Sequence, residues 1–383
     1  MIAKSIKGKS TTAIQSALQQ SMADGFTPTL AIVFISIQQD SKAVTELFTD
    51  KGIDCIGATS CNEFIDGSQT ENGIAVLLLD INRSDYSIVT EDIGEGTIAE
   101  AATRLATAAK QKFITPSLII LSTSLTATGT MLDGETLIKN IEKAIGPEVN
   151  MFGGMAGDDM TFKGPYIFYN NWNSNYGVAA IVLDEAKIKM YGVALSGWKS
   201  IGVTKTATKA KKNLLYEIDN KPALETYLRF LGQDFTSTED RTKFFDGIGL
   251  HYPIQIERPG REPMMCNPMG YDKKENALIL ESEIEEGASF RFSTPPDFDI
   301  VETVLEKANA ISAGHHADAV LIFSCASRLG ALGPLAQQEN DGLAAIWKAP
   351  MAGFYTYGEF GRALNGKHEF HSTTCSWVAL KEK

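Results

Sequence analysis

Three acids stand at the same distance behind a glycine, and they are the first candidates for chemistry. Gly57 is followed six residues on by Glu63 and then Phe64. Gly153 is followed in the same way by Asp159 and Met160, and Gly353 by Glu359 and Phe360. An apolar run lies upstream of each: Leu30 to Ile35, Leu118 to Leu121, and Val320 to Phe323. A carboxylate beside apolar surface can accept from an amine. Arg328 presents a fork that suits a carboxylate. Tyr355, Tyr357 and Trp198 add stacking surface. A few convergent polar groups on an aromatic wall suit a small zwitterion. The expected ligand-binding set is Arg328, Tyr355, Tyr357, Glu359, Asp158, Gly154, Ser60 and Glu63, in a pocket between the two halves of the chain. The competing reading is that the aromatics fill a core.

Cys325 is the strongest candidate nucleophile. It follows a buried strand, with Arg328 three residues on, and His371 and Glu359 could complete a Cys-His-acid set. A free cysteine buried at a strand end is the commoner arrangement. Asp158-Asp159 offers oxygen ligands for a cation, against the commoner role of bonding local amides in a turn. No Gly-x-x-x-x-Gly-Lys-Ser/Thr loop, Gly-x-Ser-x-Gly elbow or His-Glu-x-x-His helix is present. No cofactor and no metal are expected. An enzyme, a hydrolase or transferase using Cys325 and His371, stands as the alternative to a binding protein.

The elements that must carry these residues follow from periodicity. Helices are expected over 10–23, 41–51, 96–112, 135–145, 223–231, 298–311 and 335–347. Strands are expected over 30–35, 53–59, 73–80, 87–92, 117–122, 149–153, 319–323 and 373–380. Residues 166–169, 177–183 and 188–196 are expected to form an antiparallel set, with Asp184 to Lys187 as a turn. Phe244 to Ile256 is expected as a strand. The stretch Gly73–Asp80 matches Gly177–Asp184 residue for residue in character. On this basis 30–92 and 117–196 are duplicated units. The fold class is α/β (mixed α+β), with repeated strand-helix-strand units, antiparallel additions and two domains packed together. The expected domains are 1–220 and 221–383.

Composition narrows the partners. With 383 residues, 44% hydrophobic and 21% charged, the chain has ordinary globular make-up. A net charge of −12 disfavours nucleic acid and anionic membrane. Lys199 to Lys212 is a lysine-rich stretch without an acid, most simply a solvated edge. Five widely spaced cysteines, with no Cys-x-x-Cys pair, argue against a zinc site and a disulfide framework. No apolar run reaches bilayer length, and the N-terminus lacks the apolar core of a signal peptide. A cytoplasmic location is expected.

Several stretches together resemble one family. Gly197-Trp198 with Gly202, Thr208-Lys209-Ala210, Asn213, Glu217-Ile218-Asp219 and Pro222-Ala223-Leu224 look like the linker of the FIST domains. Gly153 to Asp159 resembles the N-terminal half of that family. Phe323 to Arg328 and Gly353 to Gly361 resemble its C-terminal half. The name stands for F-box and intracellular signal transduction proteins. The resemblance implies a cytoplasmic sensory module of a signal transduction pathway, binding a small ligand such as an amino acid. Relatives are often fused to kinase, cyclase-type or chemotaxis output domains, and this sequence carries none, so a separate signalling protein is the expected partner. Two departures bear on ligand preference. The first corner lacks the family's usual Gly-Cys-Ser-Thr-x-Gly-Glu form, and Ser372 stands after His371 where the family favours Asn.

Overall fold

The computed structural model describes residues 1–126, 128–233, 238–247, 249–294, 296–364 and 366–383. Ala127 of the Ser/Thr-rich loop, Ile248 and Pro295 lie outside the described residues. The protein is mixed α+β and divides into two compact units. The first comprises 1–195, 301–326 and 334–383, and the second 196–300 and 327–333.

The first unit writes the same order of elements three times along the chain. The opening stretch is β1 (Ile2–Gly8), α1 (Thr11–Ser21), β2 (Leu30–Ser36), α2 (Ser41–Thr49), β3 (Asp54–Ser60), β4 (Glu63–Ile65), β5 (Ser68–Thr70) and β6 (Ile74–Asp80). Next come β7 (Tyr86–Asp92), α3 (Ile98–Lys110), β8 (Pro116–Ser122), α4 (Gly134–Ile145), β9 (Met151–Met155), β10 (Ile167–Tyr169), β11 (Trp172–Ser174) and β12 (Gly177–Asp184). The third stretch opens with β13 (Ile188–Leu195). The second unit then intervenes, with β14 (Ser200–Lys211), β15 (Leu214–Ile218), β16 (Lys221–Pro222), α5 (Ala223–Phe230), α6 (Thr238–Gly247), β17 (Ile254–Ile256), β18 (Met264–Cys266), β19 (Pro268–Asp272), β20 (Ala277–Leu280) and β21 (Ser289–Ser293). The third stretch resumes with α7 (Phe298–Ser312), β22 (Ala319–Cys325), α8 (Ala326–Leu332), α9 (Pro334–Trp347), β23 (Met351–Thr356), β24 (Glu359–Arg362), β25 (His368–His371) and β26 (Cys375–Glu382).

The sheets of the first unit follow one plan. Their strand orders are β1-β6-β2-β3-β10-β11, β7-β12-β8-β9-β24-β25 and β13-β26-β22-β23-β4-β5. In each, a parallel pair is flanked by an antiparallel strand and closed by a hairpin from another stretch. The hairpin of the first stretch joins the third sheet, that of the second joins the first, and that of the third joins the second. The exchange is cyclic.

Period-two alternation explains how the sheets stack. Ala31, Val33 and Ile35 of β2 face Ile14, Leu18, Val44 and Phe48 of α1 and α2. Leu30, Ile32 and Phe34 face a core shared with Ile119, Leu121, Leu321 and Phe323 of the other sheets. Phe34 lies at its middle, stacked on Phe354 at 4.4 Å and edge-on to Phe323 at 6.2 Å. Each such ring stabilises the fold by about 1.5–3 kcal/mol through burial. The helices are locally well started. Thr97 and Glu100 form a reciprocal capping box on α3, and Asp133 caps α4.

Two expected strands differ. β12 and β13 do not pair with each other, although a turn forms, with Lys187 N–H donating to the Asp184 carbonyl. Both edges of β12 are already taken by β7 and β8, so β13 pairs with β26 instead. Among the described residues of the apolar run at 244–256, 244–247 end α6, Gly249–His251 form a single 3-10 turn, and only Ile254–Ile256 is strand. Phe244 and Phe245 are buried from α6, with Phe245 set against the Tyr227 and Tyr271 rings. The second unit has its own core, including Leu215, Leu224, Tyr227, Phe290 and Phe292.

Candidate functional site

The three glycine corners meet in the first unit. The corner glycines occupy one register: Gly57 lies opposite Val33, Gly153 opposite Ile120, and Gly353 opposite Ile322, each across a parallel pair. A Cβ at any of them would collide with that neighbour's carbonyl oxygen. On its other side each glycine faces a phenylalanine of the incoming hairpin. The pairs are Gly57 with Phe168, Gly153 with Phe360, and Gly353 with Phe64. Gly153 also has φ +155, a backbone that side chains resist.

Backbone bonds tie the corners into a ring. Cys61 N–H donates to the Tyr355 carbonyl at 2.9 Å, and Tyr355 N–H to Asn62 at 3.0 Å. Gly157 N–H donates to Thr59 at 2.8 Å, and Asp159 N–H to Ser60 at 3.0 Å. Met155 N–H donates to Gly358 at 2.8 Å.

The acids of the first and third corners have matching partners. Ser60 Oγ donates to Glu63 Oε1, and Gly73 N–H donates to Glu63 Oε2 at 3.0 Å. Thr356 Oγ1 donates to Glu359 Oε1 at 2.6 Å, and Thr374 donates to Glu359 Oε2 through its hydroxyl at 2.8 Å and its N–H at 3.2 Å. Gly73 and Thr374 directly precede the matching strands β6 and β26. Both carboxylates are fully buried. Burial pushes the Glu63 carboxyl up to about 8, against the pull of the Ser60 and Gly73 bonds, and nearby Asp159 adds to the rise.

The second corner is built differently. The sequence pattern pairs Gly153 with Asp159 and Met160, but the residue packed as Phe64 and Phe360 are is Phe168. Met160 is 42% exposed. Eight residues, 158–165, bulge out before the hairpin resumes. Asp158 organises them. Its carboxylate accepts from the N–H groups of Phe162 (2.9 Å), Lys163 (2.6 Å) and Gly164 (2.9 Å) and from the Thr161 hydroxyl (2.9 Å). The Tyr357 hydroxyl adds a bond of 2.5 Å from the third corner. Burial alone would raise this carboxyl, but the bonds from Tyr357, Gly164, Lys163 and Phe162 outweigh it and hold it below the ordinary 3.8. These donors occupy the oxygens a cation would need. Tyr357 also stacks on Phe162 at 4.5 Å, and its own ionisation is pushed up by burial. Beside it, Asp159 accepts from Ser36 Oγ at 2.7 Å and from Gln38.

The structure gathers Ser60, Glu63, Gly154, Asp158, Tyr355, Tyr357 and Glu359 at these corners. Gly154 pairs with Glu359, and Asn340 donates to the Tyr355 hydroxyl at 3.2 Å. Cys325 and His371 join the third corner. Cys325 is buried and lies opposite Thr356, the residue bonded to Glu359, and His371 lies opposite Glu359. The His371 Nε2 lies 3.3 Å from the Gly361 carbonyl. Arg328 falls in the second unit and is fully buried; its guanidinium donates to the Ser196 carbonyl at 2.5 Å and covers the Trp198 ring at 5.4 Å. Phe162 and Phe168 were missed by spacing alone. The available signal for Phe168 is its turn: Asn170-Asn171 follows it at the same distance as Asp66-Gly67 follows Phe64, and both turns open at positive φ.

Three sheets that exchange hairpins around buried acid corners define a mixed α+β scaffold, and comparison with known families places it. The FIST N domain matches residues 29–221 and the FIST C domain residues 223–362. The chain belongs to the FIST family, whose domains are sensory domains of signal transduction. No curated protein matches it. Among the described residues no helix is long and apolar enough to cross a membrane.

Proposed function

We propose that this protein is a cytoplasmic small-molecule sensor that passes its state to a separate signalling protein, with the ligand seated at the second corner. One observation carries the reading. Asp159, Met160 and Phe162 all hold positive φ (53°, 62° and 53°). The first corner holds one such residue, Asn62 at φ 109°, and the third none between Gly353 and Glu359, so the shared sheet plan does not require a run of three. Strained non-glycine backbone of this kind gathers at ligand clamps and switches. Phe162 and Tyr357 supply a stacking wall, and Asp158 fixes it from beneath.

An amino acid is the ligand class that a corner carboxylate suits, its amine meeting Glu359. Rearrangement of the present Thr356 and Thr374 bonds to Glu359 would accompany binding. A thermal-shift panel of amino acids, small acids and neutral aromatics tests the proposal, since a ligand at 100 times its Kd stabilises by about 2.7 kcal/mol. At least one class should raise the melting temperature of the wild type, and Phe162→Ala should abolish that rise. Indifference of the wild type to every class would remove the sensor reading. An enzyme at Cys325 is favoured instead if thiol labelling there is fast at neutral pH and His371→Ala slows it.

A further inference from the structure

The second unit contains a cavity of about 320 Å³ that none of the corner residues reaches. We propose that it is a binding site for a neutral, flat, two-ring aromatic molecule, distinct from the corner site. The walls are Phe230, Phe244, Leu231 and Ile201, and Tyr252, Gln233 and Ser293 supply the polar atoms. No charged side chain is among the described lining residues. A zwitterion or an organic anion would therefore lose its hydration there without gaining a partner.

The size follows from volume. An apolar cavity of about 150 Å³ holds one benzene, so this one has room for two fused rings. It falls at the lower end of the roughly 300–1,000 Å³ usual for ligand pockets. The shape follows from the rings. Phe230 is held rigid by stacking on Phe292 at 4.2 Å, which leaves a fixed aromatic surface for a planar guest. The polar pattern offers the guest only a few hydrogen bonds. Ser293 Oγ already accepts from Gln255 at 3.0 Å, and the Gln233 amide nitrogen donates to the Leu231 carbonyl at 3.3 Å. The Gln233 amide oxygen and the Tyr252 hydroxyl have no hydrogen bond among the described residues, so they are placed to meet a single N–H or O–H.

The mouth is made by a break in the sheet. β14 pairs with β21 at Ser200 and Ile201, then shifts register before Lys205. Gly202 within the break has φ +78, and Ile201 and Val203 stand 43% and 71% exposed. Such bulges re-aim side chains and end pairing beside functional sites. Here the break leaves apolar side chains at the rim of an apolar cavity.

Indole is the probe, because it is neutral, bicyclic and carries one N–H. Tryptophan is its zwitterionic counterpart. The full chain should bind indole saturably, with intermolecular NOEs from indole protons to the methyl groups of Ile201 and Leu231. Tryptophan should bind at least tenfold more weakly. Ile201→Trp, which places a ring in the mouth, should weaken indole at least tenfold, and the isosteric Tyr252→Phe should weaken it a few-fold with no change in melting temperature. The site is overturned if indole fails to saturate, if its NOEs come from other residues, or if both variants bind it as the wild type does. A ligand that binds Ile201→Trp normally but is lost in Phe162→Ala belongs to the corner. That outcome overturns this site and leaves the sensor reading standing.

Discussion

Two buried carboxylates, Asp158 and Glu63, are held in opposite protonation regimes by their surroundings. Asp158 receives five donors and stays ionised, while Glu63 receives two and is dominated by burial. The folded pKa of Glu63, about 8, lies above the 4.5 of an exposed glutamate. The folded state therefore keeps a proton that the unfolded chain releases, and stability should fall as pH rises from about 4.5 to about 8. Glu63→Gln mimics the protonated form, with its amide N–H toward Ser60 and its oxygen toward Gly73. Urea titrations at pH 5 and pH 8 should show a shallower fall for this variant than for the wild type. Asp158 behaves in the reverse sense. Its folded pKa lies below 3.8, so its stabilisation is complete above that pH and is lost as pH falls toward the folded value. Asp158→Asn should cost about 2–4 kcal/mol at pH 7, because an amide group would be turned toward backbone donors. Tyr357→Phe removes one of those bonds and should cost about 1–2 kcal/mol in the same denaturation assay.

At the scale of elements, the corner is a glycine, a close strand and a borrowed phenylalanine. Gly153→Ala should therefore be among the most damaging small substitutions, at about 3 kcal/mol or more, since strained φ and a clash with the Ile120 carbonyl add together. Phe64→Ala should cost about 3–5 kcal/mol by opening a cavity over Gly353 on the neighbouring strand β23 of the third sheet. Melting curves of the two purified variants check both. These glycines, the acids and the buried runs of β2, β8 and β22 were legible because each obeys a local rule. The sheet membership of the hairpins was not. β4, β5, β24 and β25 span only three or four residues each, too short to show a period, and their partners lie in distant stretches. β1 was missed for another reason: Lys4 and Lys7 mask a strand whose Ala3 and Ile6 are buried on opposite faces, in two different cores.

For the molecule as a whole, protection should follow the plan of the sheets. All seven residues of β2, β8 and β22 are buried in the first unit, whereas much of β14 in the second is exposed. Hydrogen exchange should find the slowest amides in those three strands and fast exchange in the 200–206 stretch of β14. Slow exchange confined to one of the three would mean that the exchanged hairpins fail to unite the sheets. The sequence by itself determined α1 to α5, α7 and α9, the buried strands, the acid corners and the family, because capping, periodicity and backbone strain act within a few residues. Only the tertiary structure decided which hairpin completes which sheet, which corner carries the bulge, and that the second unit holds a cavity. Those outcomes depend on free strand edges and on volumes enclosed by side chains far apart in the chain.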